Sequence, residues 1–409
     1  MTVFVIQRNI WEMVSLKKIN ICDIFVGQWA LYYLQGLLYP QGIINQAIQM
    51  IMILIGLSSL FECCKKYSNA PYIIKASLLL VIMYFIYGFI IILFGDGIPW
   101  TTNSTYLKNS LNSLLPIFFF YIQTSNGRLT DDRIKIYTLV ILIVAIAFFN
   151  FLNKQLLLKY DTDETTNNAG YLFTGMLPLI YFFNKKTIVQ YVLLAIMMLY
   201  IFLGMKRGAI LVGAVAVLVF LYSGLKERNR KKKFIVFLFS AVIVIGTIYY
   251  VNYLMINDDY FMARVNKTLE GNSSGRDRIY SSVWNAIVGE TSVFYILFGH
   301  GANSTIKYAG NFAHQDWLET ACNNGILGTI ILANFFIALT FTVARGRKFF
   351  KPHYYYCALT TLASSFLTTL FSMSVQDFGI YQGLLIGYFA FWTSKKGLMT
   401  LRTFSAKSI

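Results

Sequence analysis

The chain reads as an all-α, polytopic integral membrane protein, and three observations predict it. Of its 409 residues, 57% are hydrophobic and only 13% are charged, a balance that does not suit a water-facing globule of this size. Mean hydropathy is +0.58. Apolar runs of the roughly 17 to 25 residues that a helix needs to cross the hydrocarbon core recur along the chain, and strand-length alternation is absent. Helices rather than a barrel are therefore the spanning element.

In chain order, spans are expected near 21–39, 43–62, 72–94, 111–123, 135–152, 170–184, 187–205, 208–223, 234–254, 316–343, 353–373 and 379–394, about 12 transmembrane helices. The stretch at 111–123 is short and contains Pro116, so either its helix outruns its apolar part or it enters the membrane without crossing, and eleven crossings would then remain. Residues 1–20 are mixed and polar, without the apolar core of a cleavable signal peptide, so the first span is expected to act as an uncleaved anchor. No long repeat or low-complexity linker divides the sequence. It is read as one transmembrane domain over 1–409, with a long extracytoplasmic loop at 255–315.

Net charge is +17, large enough to raise nucleic acid as a partner, but its distribution argues otherwise. With the N-terminus cytoplasmic, 25 of the 35 Lys and Arg residues fall on the inner side and 10 on the outer, whereas the 18 acidic residues divide 6 to 12 the other way. This is the positive-inside pattern, and it places both termini in the cytoplasm. The charge reports topology, with no nucleic-acid partner. Cys22, Cys63, Cys64, Cys322 and Cys357 show no CxxC spacing and read as membrane-buried thiols; with no clustered His or acidic motif, no metal or cofactor is expected.

The cations that break the inside rule are informative, because placing them outside runs against the insertion bias. Lys206 and Arg207 occupy the turn Leu203-Gly-Met-Lys-Arg-Gly208 between two spans. Arg264, Lys267, Arg276 and Arg278 lie in the long loop. One reading has these side chains snorkelling to headgroups or pairing with Asp258, Asp259 and Asp277. The other has Arg207 and Arg276 together forming a planar, permanently charged clamp for phosphate oxygens.

Ser274-Gly-Arg-Asp277 has the form of a capping box, so a helix is expected to begin there. Arg276, Ile279, Tyr280, Val283 and Ile287 share one helical face and Trp284 adds an interfacial aromatic, the pattern of an amphipathic helix lying on the outer surface. Arg276 would stand in its first turn, where free backbone N–H groups also favour an anion. Phe298-Gly-His-Gly301 then reads as a glycine turn. His314 precedes the next span and is a candidate general base; capping or an interfacial role is the alternative. Asp316 and Glu319 are the nearby carboxylates, placed either to orient the imidazole or to replace it as base. Gly325 and Gly328 read as helix-packing positions.

Three of these pieces, in order, resemble the superfamily of O-antigen polymerases (Wzy) and O-antigen ligases, membrane glycosyltransferases of bacterial surface polysaccharide assembly. They are Lys206-Arg-Gly-Ala209 after an apolar span, Ser274-Gly-Arg276 with an amphipathic helix and Gly299-His-Gly301, and His314 followed by Leu318 and Gly325-Ile-Leu-Gly328. The family usually has a small hydroxyl residue where Lys206 stands and Asn where Gln315 stands. The resemblance implies a metal-independent, inverting transfer of glycan from an undecaprenyl-pyrophosphate donor at the outer face of the bacterial inner (cytoplasmic) membrane. Arg207 and Arg276, with Arg278 in reserve and Lys206 in support, would bind the pyrophosphate, and His314 would deprotonate the acceptor hydroxyl. Implied partners are the undecaprenyl-pyrophosphate-linked oligosaccharide, membrane lipid and a chain-length regulator protein. Polymerase is expected for O-antigen or capsule because of the two departures, with ligation to lipid A core as the alternative. A lipid-linked oligosaccharide flippase is a reading from another class, but transporters hold substrate charges near the midplane. Trp100, Tyr106, Tyr308 and Trp317 are candidates for stacking on sugar rings or for an interfacial belt.

Overall fold

The computed structural model describes residues 19–38, 42–94, 100–160, 167–226, 275–376, 379–394 and 397–399, with scattered positions between 233 and 266. Among the described residues the regular structure is helical: α1 (Ile21–Leu38), α2 (Ile43–Lys65), α3 (Tyr72–Phe94), α4 (Trp100–Ser125), α5 (Asp131–Tyr160), α6 (Gly170–Met176, continued as a 3-10 helix over Leu177–Phe183), α7 (Thr187–Leu203), α8 (Arg207–Leu225), α9 (Arg276–Val288), α10 (Val293–Phe298), α11 (Ser304–Ala309), α12 (Asp316–Gly346), α13 (Pro352–Phe371) and α14 (Ile380–Trp392). Five of the described helices, α2, α3, α5, α8 and α12, are long and apolar enough to cross a membrane, and α6, α7 and α14 are shorter apolar helices. Side chains such as Ile24, Leu31, Leu54, Phe85, Leu218 and Ile330 are exposed around the outside, a distribution that lipid, not water, accommodates. The span expected at 234–254 falls largely outside the described residues.

The stretch expected at 111–123 is part of a 26-residue helix, α4, with Pro116 inside it. Its first turns carry Thr, Asn and Ser and so have no apolar signature, which is why the sequence shows only the second half. This helix is the hub of the bundle, packed by α2, α3 and α14. Small residues allow the approach. Gly383 and Gly387, four apart on α14, face Pro116 and the backbone of Ile117 and Tyr121; a Cβ at Gly387 would lie 2.5 Å from the Ile117 carbonyl oxygen and 2.7 Å from Tyr121 N. Without a hydrophobic drive between helices in lipid, such backbone contact is what holds α14 to α4. Gly56 of α2 and Gly88 of α3 meet Leu115 and Leu107 on other faces of α4 in the same way.

The opposite end of the bundle from the long loop is tied by part-buried polar pairs. Tyr388 donates to Asp131 Oδ1 at 2.7 Å and Tyr354 to its Oδ2, while Tyr137 donates to Asp23 Oδ1 at 2.6 Å and Arg133 pairs with Asp23 Oδ2. Cys22, Cys63, Cys322 and Cys357 are buried free thiols as expected; Cys64 is exposed.

Gly387→Leu should overpack the α4–α14 contact and destabilise the fold by about 1–3 kcal/mol or more, read as a lowered midpoint in detergent thermal unfolding. Gly27→Leu, where a Cβ meets nothing within 4 Å, should leave the midpoint nearly unchanged.

Candidate functional site

The site forms where the chain beyond the long loop enters α12. At Gly325 that helix leaves helical geometry, with φ 66° and ψ −163°, a region open in practice only to glycine. A break frees carbonyls that would otherwise bond within the helix, and inside a membrane protein each must find a partner. The glycine turn supplies them: His300 N donates to Cys322 O at 2.9 Å and Gly301 N to Asn323 O at 3.0 Å. The two backbones touch, since a Cβ on Gly299 would lie 2.5 Å from Asn324 N and one on Gly325 would lie 2.5 Å from Gly299 N. Gly325 is thus a packing and backbone position, as the sequence suggested, and it also breaks the helix.

The broken first segment of α12 carries both carboxylates. Asp316 and Glu319 are each 2% exposed. Glu319 accepts from Thr305 Oγ1 at 2.7 Å, from Asn323 Nδ2 at 3.3 Å and from the backbone N–H of Ala313, and bonds the backbone at His314. It thereby fixes the loop in which His314 is held at φ 53°. Asp316 Oδ2 accepts from Ser374 N at 2.8 Å, Ser374 Oγ at 3.0 Å and Val375 N at 3.1 Å, which pins the loop after α13. Both carboxylates position backbone around the imidazole, a role that sequence spacing did not distinguish from direct contact with it.

His314 lines a cavity of ≈ 570 Å³ whose wall is otherwise mainly hydroxyl, amide and aromatic, including Thr105, Asn109, Asn168, Tyr171, Asn303, Gln376 and Tyr381, with Leu172 and Met373. Asn303, at φ 61°, donates to Asn103 Oδ1 at 3.3 Å. The cations gather at the rim. Arg276 opens α9 and donates through Nη1 to Phe371 O at 3.3 Å, a carbonyl that Tyr171 OH also approaches at 3.5 Å. Gly208 lets the first turn of α8 lie against these same two residues, Tyr171 and Phe371. Lys206 is half-buried, and Arg207 and Arg278 are exposed. Burial first, then the charges of Arg276 and Lys206, lower the His314 pKa below the ordinary 6.5, so the ring is a neutral base near pH 7.

The amphipathic reading of α9 holds in detail. Val283 is buried against Ala313 and Cys322, with Ile279, Tyr280 and Ile287 beside it, and Trp284 is 58% exposed. The start of α9 is as expected but its cap is not: the N-cap residue is Gly275, at φ 80° and without a side chain to cap. Ser274 lies outside the described residues, as do Arg264, Lys267, Asp258 and Asp259. His300 belongs elsewhere, its Nδ1 3.0 Å from Tyr308 OH and its Nε2 3.6 Å from Glu290. Of the aromatics singled out, Tyr106 lines the cavity, Tyr308 packs on His300 and Trp317 lies in a groove outside it. Tyr171 and Tyr381 were missed, because on apolar helices nothing separates a cavity-lining tyrosine from a core one.

Gly325→Ala should introduce both a forbidden backbone region and a clash with Gly299, costing about 1–3 kcal/mol; faster protease cleavage between 289 and 315 would report it. Glu319→Gln turns an N–H toward donors and should loosen the same segment by about 1–3 kcal/mol, read by backbone exchange at Ala313 and His314.

No curated protein matches the chain. Residues 192–333, which run from α7 into α12 and contain Lys206, Arg207, Arg276 and His314, match the family model Wzy_C, described as O-antigen ligase. Over that segment, which carries the candidate site, the chain is similar to the O-antigen ligase family.

Proposed function

We propose that the protein is a polysaccharide polymerase that joins undecaprenyl-pyrophosphate-linked repeat units at the outer face of the bacterial inner membrane, with both termini cytoplasmic. The superfamily supports glycosyl transfer of the ligase or polymerase type. The observation that carries the reading is the neutral His314 on the wall of an uncharged, hydroxyl- and amide-lined cavity with Arg276 and Lys206 beside it.

In this mechanism an acceptor sugar hydroxyl gives its proton to His314 as its oxygen attacks the anomeric carbon of the donor. The bond from that carbon to the pyrophosphate oxygen breaks from the opposite side, inverting the centre and releasing undecaprenyl pyrophosphate. Arg276, Lys206 and Arg207 neutralise the charge that grows on the leaving group, an effect that matters most in a site with little competing water. Arg278, which is exposed, has a lesser part. An apolar groove between α9 and α12, lined by Tyr280, Trp284, Trp317 and Leu318, shares Trp317 with a second groove that continues along Ile337, Phe341 and Phe366 between α12 and α13. Such a channel fits the polyprenyl chain of the donor, and a regulator of chain length would act from outside it. Ligation to lipid A core is the second reading, favoured by the description of the matching family. A flippase is less well supported, since the site cations stand at helix ends.

Deleting the gene in its host and resolving surface glycolipid on gels tests the assignment. Loss of the ladder with one repeat unit retained means polymerase, long polymer stranded on undecaprenyl pyrophosphate means ligase, and an unchanged profile refutes both. Arg276→Ala and His314→Ala should each lower transfer by about 10²-fold or more with normal membrane levels of protein, and Arg276→Lys should restore it only in part because the bidentate fork is lost. Since the His314 pKa is lowered, activity should fall on acidification only below pH 6.5. Lys206→Met removes a repelling charge and should move that acid limb upward. A limb unmoved in Lys206→Met would exclude His314 as the titrating base.

A further inference from the structure

A second chamber of ≈ 360 Å³ lies beyond the cavity of His314, and the two share the residues Asn109, Asn168, Leu172 and Gln376 as a common wall. We infer that the two chambers form one continuous track for an uncharged oligosaccharide, and that the second holds sugar residues of a glycan whose reacting end lies at His314. The inference rests on the glycosyl-transfer reading above.

One face of α4 lines both chambers. Thr102 and Thr105 face the first, Asn109 both, and Asn112 and Pro116 the second. At 100° per residue these positions fall within an arc of about 80° and climb roughly 21 Å along the helix. Such a polar stripe has no purpose against lipid and would be costly against core, but each hydroxyl or amide can serve a sugar hydroxyl as donor or acceptor. Asn112 Oδ1 is buried and has no hydrogen-bond partner, an acceptor left for a ligand. The far wall of the second chamber is aromatic: Trp29 and Tyr33 have ring centroids 4.6 Å apart, and Phe148 meets Tyr33 edge to face at 5.0 Å. Flat apolar faces beside amides are the surface that a pyranose, apolar on its C–H faces and polar at its rim, can match. Neither chamber is lined by Asp, Glu, Lys or Arg among the described residues. The track therefore takes neutral sugars, and anionic pyrophosphate is left at the rim with Arg276 and Lys206. A polyprenyl chain in the second chamber would leave the amides of α4 unsatisfied.

The test places the photo-crosslinker benzoylphenylalanine in the full-length protein at Phe312 in the first chamber and, separately, at Tyr33 and Tyr32 in the second, in host cells that make the glycan. Irradiation should give sugar-bearing adducts in both chambers; Tyr32 covers a failure of the Tyr33 variant to accumulate. Asn112→Leu, which removes a buried oxygen that has no hydrogen-bond partner, should weaken binding in the track by about five-fold and shift products toward short chains at normal membrane levels of the variant. Adducts at Phe312 with none, or with only sugar-free polyprenyl adducts, at Tyr33 and Tyr32 would overturn the track while leaving the transferase reading intact. So would an unchanged ladder in Asn112→Leu. No sugar adduct at any position, together with an unchanged glycan profile in the deletion strain, would overturn both.

Discussion

At Gly325 a membrane helix is interrupted, and the carbonyls of Cys322 and Asn323 are met by the backbone of His300 and Gly301. Everything at the site depends on this exchange. A continuous helix would run straight through, leaving no place for the 299–301 turn and no short, separately oriented segment to carry Asp316 and Glu319. Because the freed groups belong to buried residues, the turn is not an optional cover but the partner that makes the break tolerable. The glycines at 299 and 325 are therefore one feature, since the backbones approach too closely for a Cβ on either side.

From this break the two buried carboxylates act outward. Glu319 holds the segment before the helix and Asp316 the segment after α13, so that two loops from distant parts of the chain meet around one imidazole. His314 and Asn303 both sit in the left-handed region at the cavity, conformations that cost free energy in isolation and persist only where surroundings fix them. Backbone accuracy at the reactive position is thus obtained by burying carboxyl groups whose oxygens are hydrogen-bonded to that backbone.

A separation of charge organises the rest. No Asp, Glu, Lys or Arg lines the cavity, while Lys206, just before α8, and Arg276, at the start of α9, act on His314 from beside it. Burial first, and then the charges of Arg276 and Lys206, hold the imidazole pKa below its ordinary value, and an interior without ions avoids the desolvation that they would incur. The α4 hub supports this arrangement: its glycine-packed second half is held by α14, and its polar first half is left to line the cavity.

Much of this was legible in the sequence. Helical class, the positions of most helices, the inward face of α9 and the packing role of Gly325 follow from periodicity and from glycine placement. Local chemistry sets these, because a lipid solvent demands long apolar helices and penalises stray cations. Other features escaped it. The first half of α4 was too polar to register as part of a span, the N-cap of α9 fell on Gly275 instead of Ser274, and Trp29, Tyr33, Tyr171 and Tyr381 looked like any other aromatics of an apolar helix. Whether Asp316 and Glu319 orient the imidazole or replace it as base was likewise left open by the spacing, and their hydrogen bonds to the backbone at 313 and 374–375 were not visible in it. Tertiary structure alone settles such matters: a cavity is bounded by residues from α4, α6, the 303–314 segment, α13 and α14, and which side chain faces it depends on how helices far apart in sequence rotate against one another, a quantity set by packing and not by any one of them.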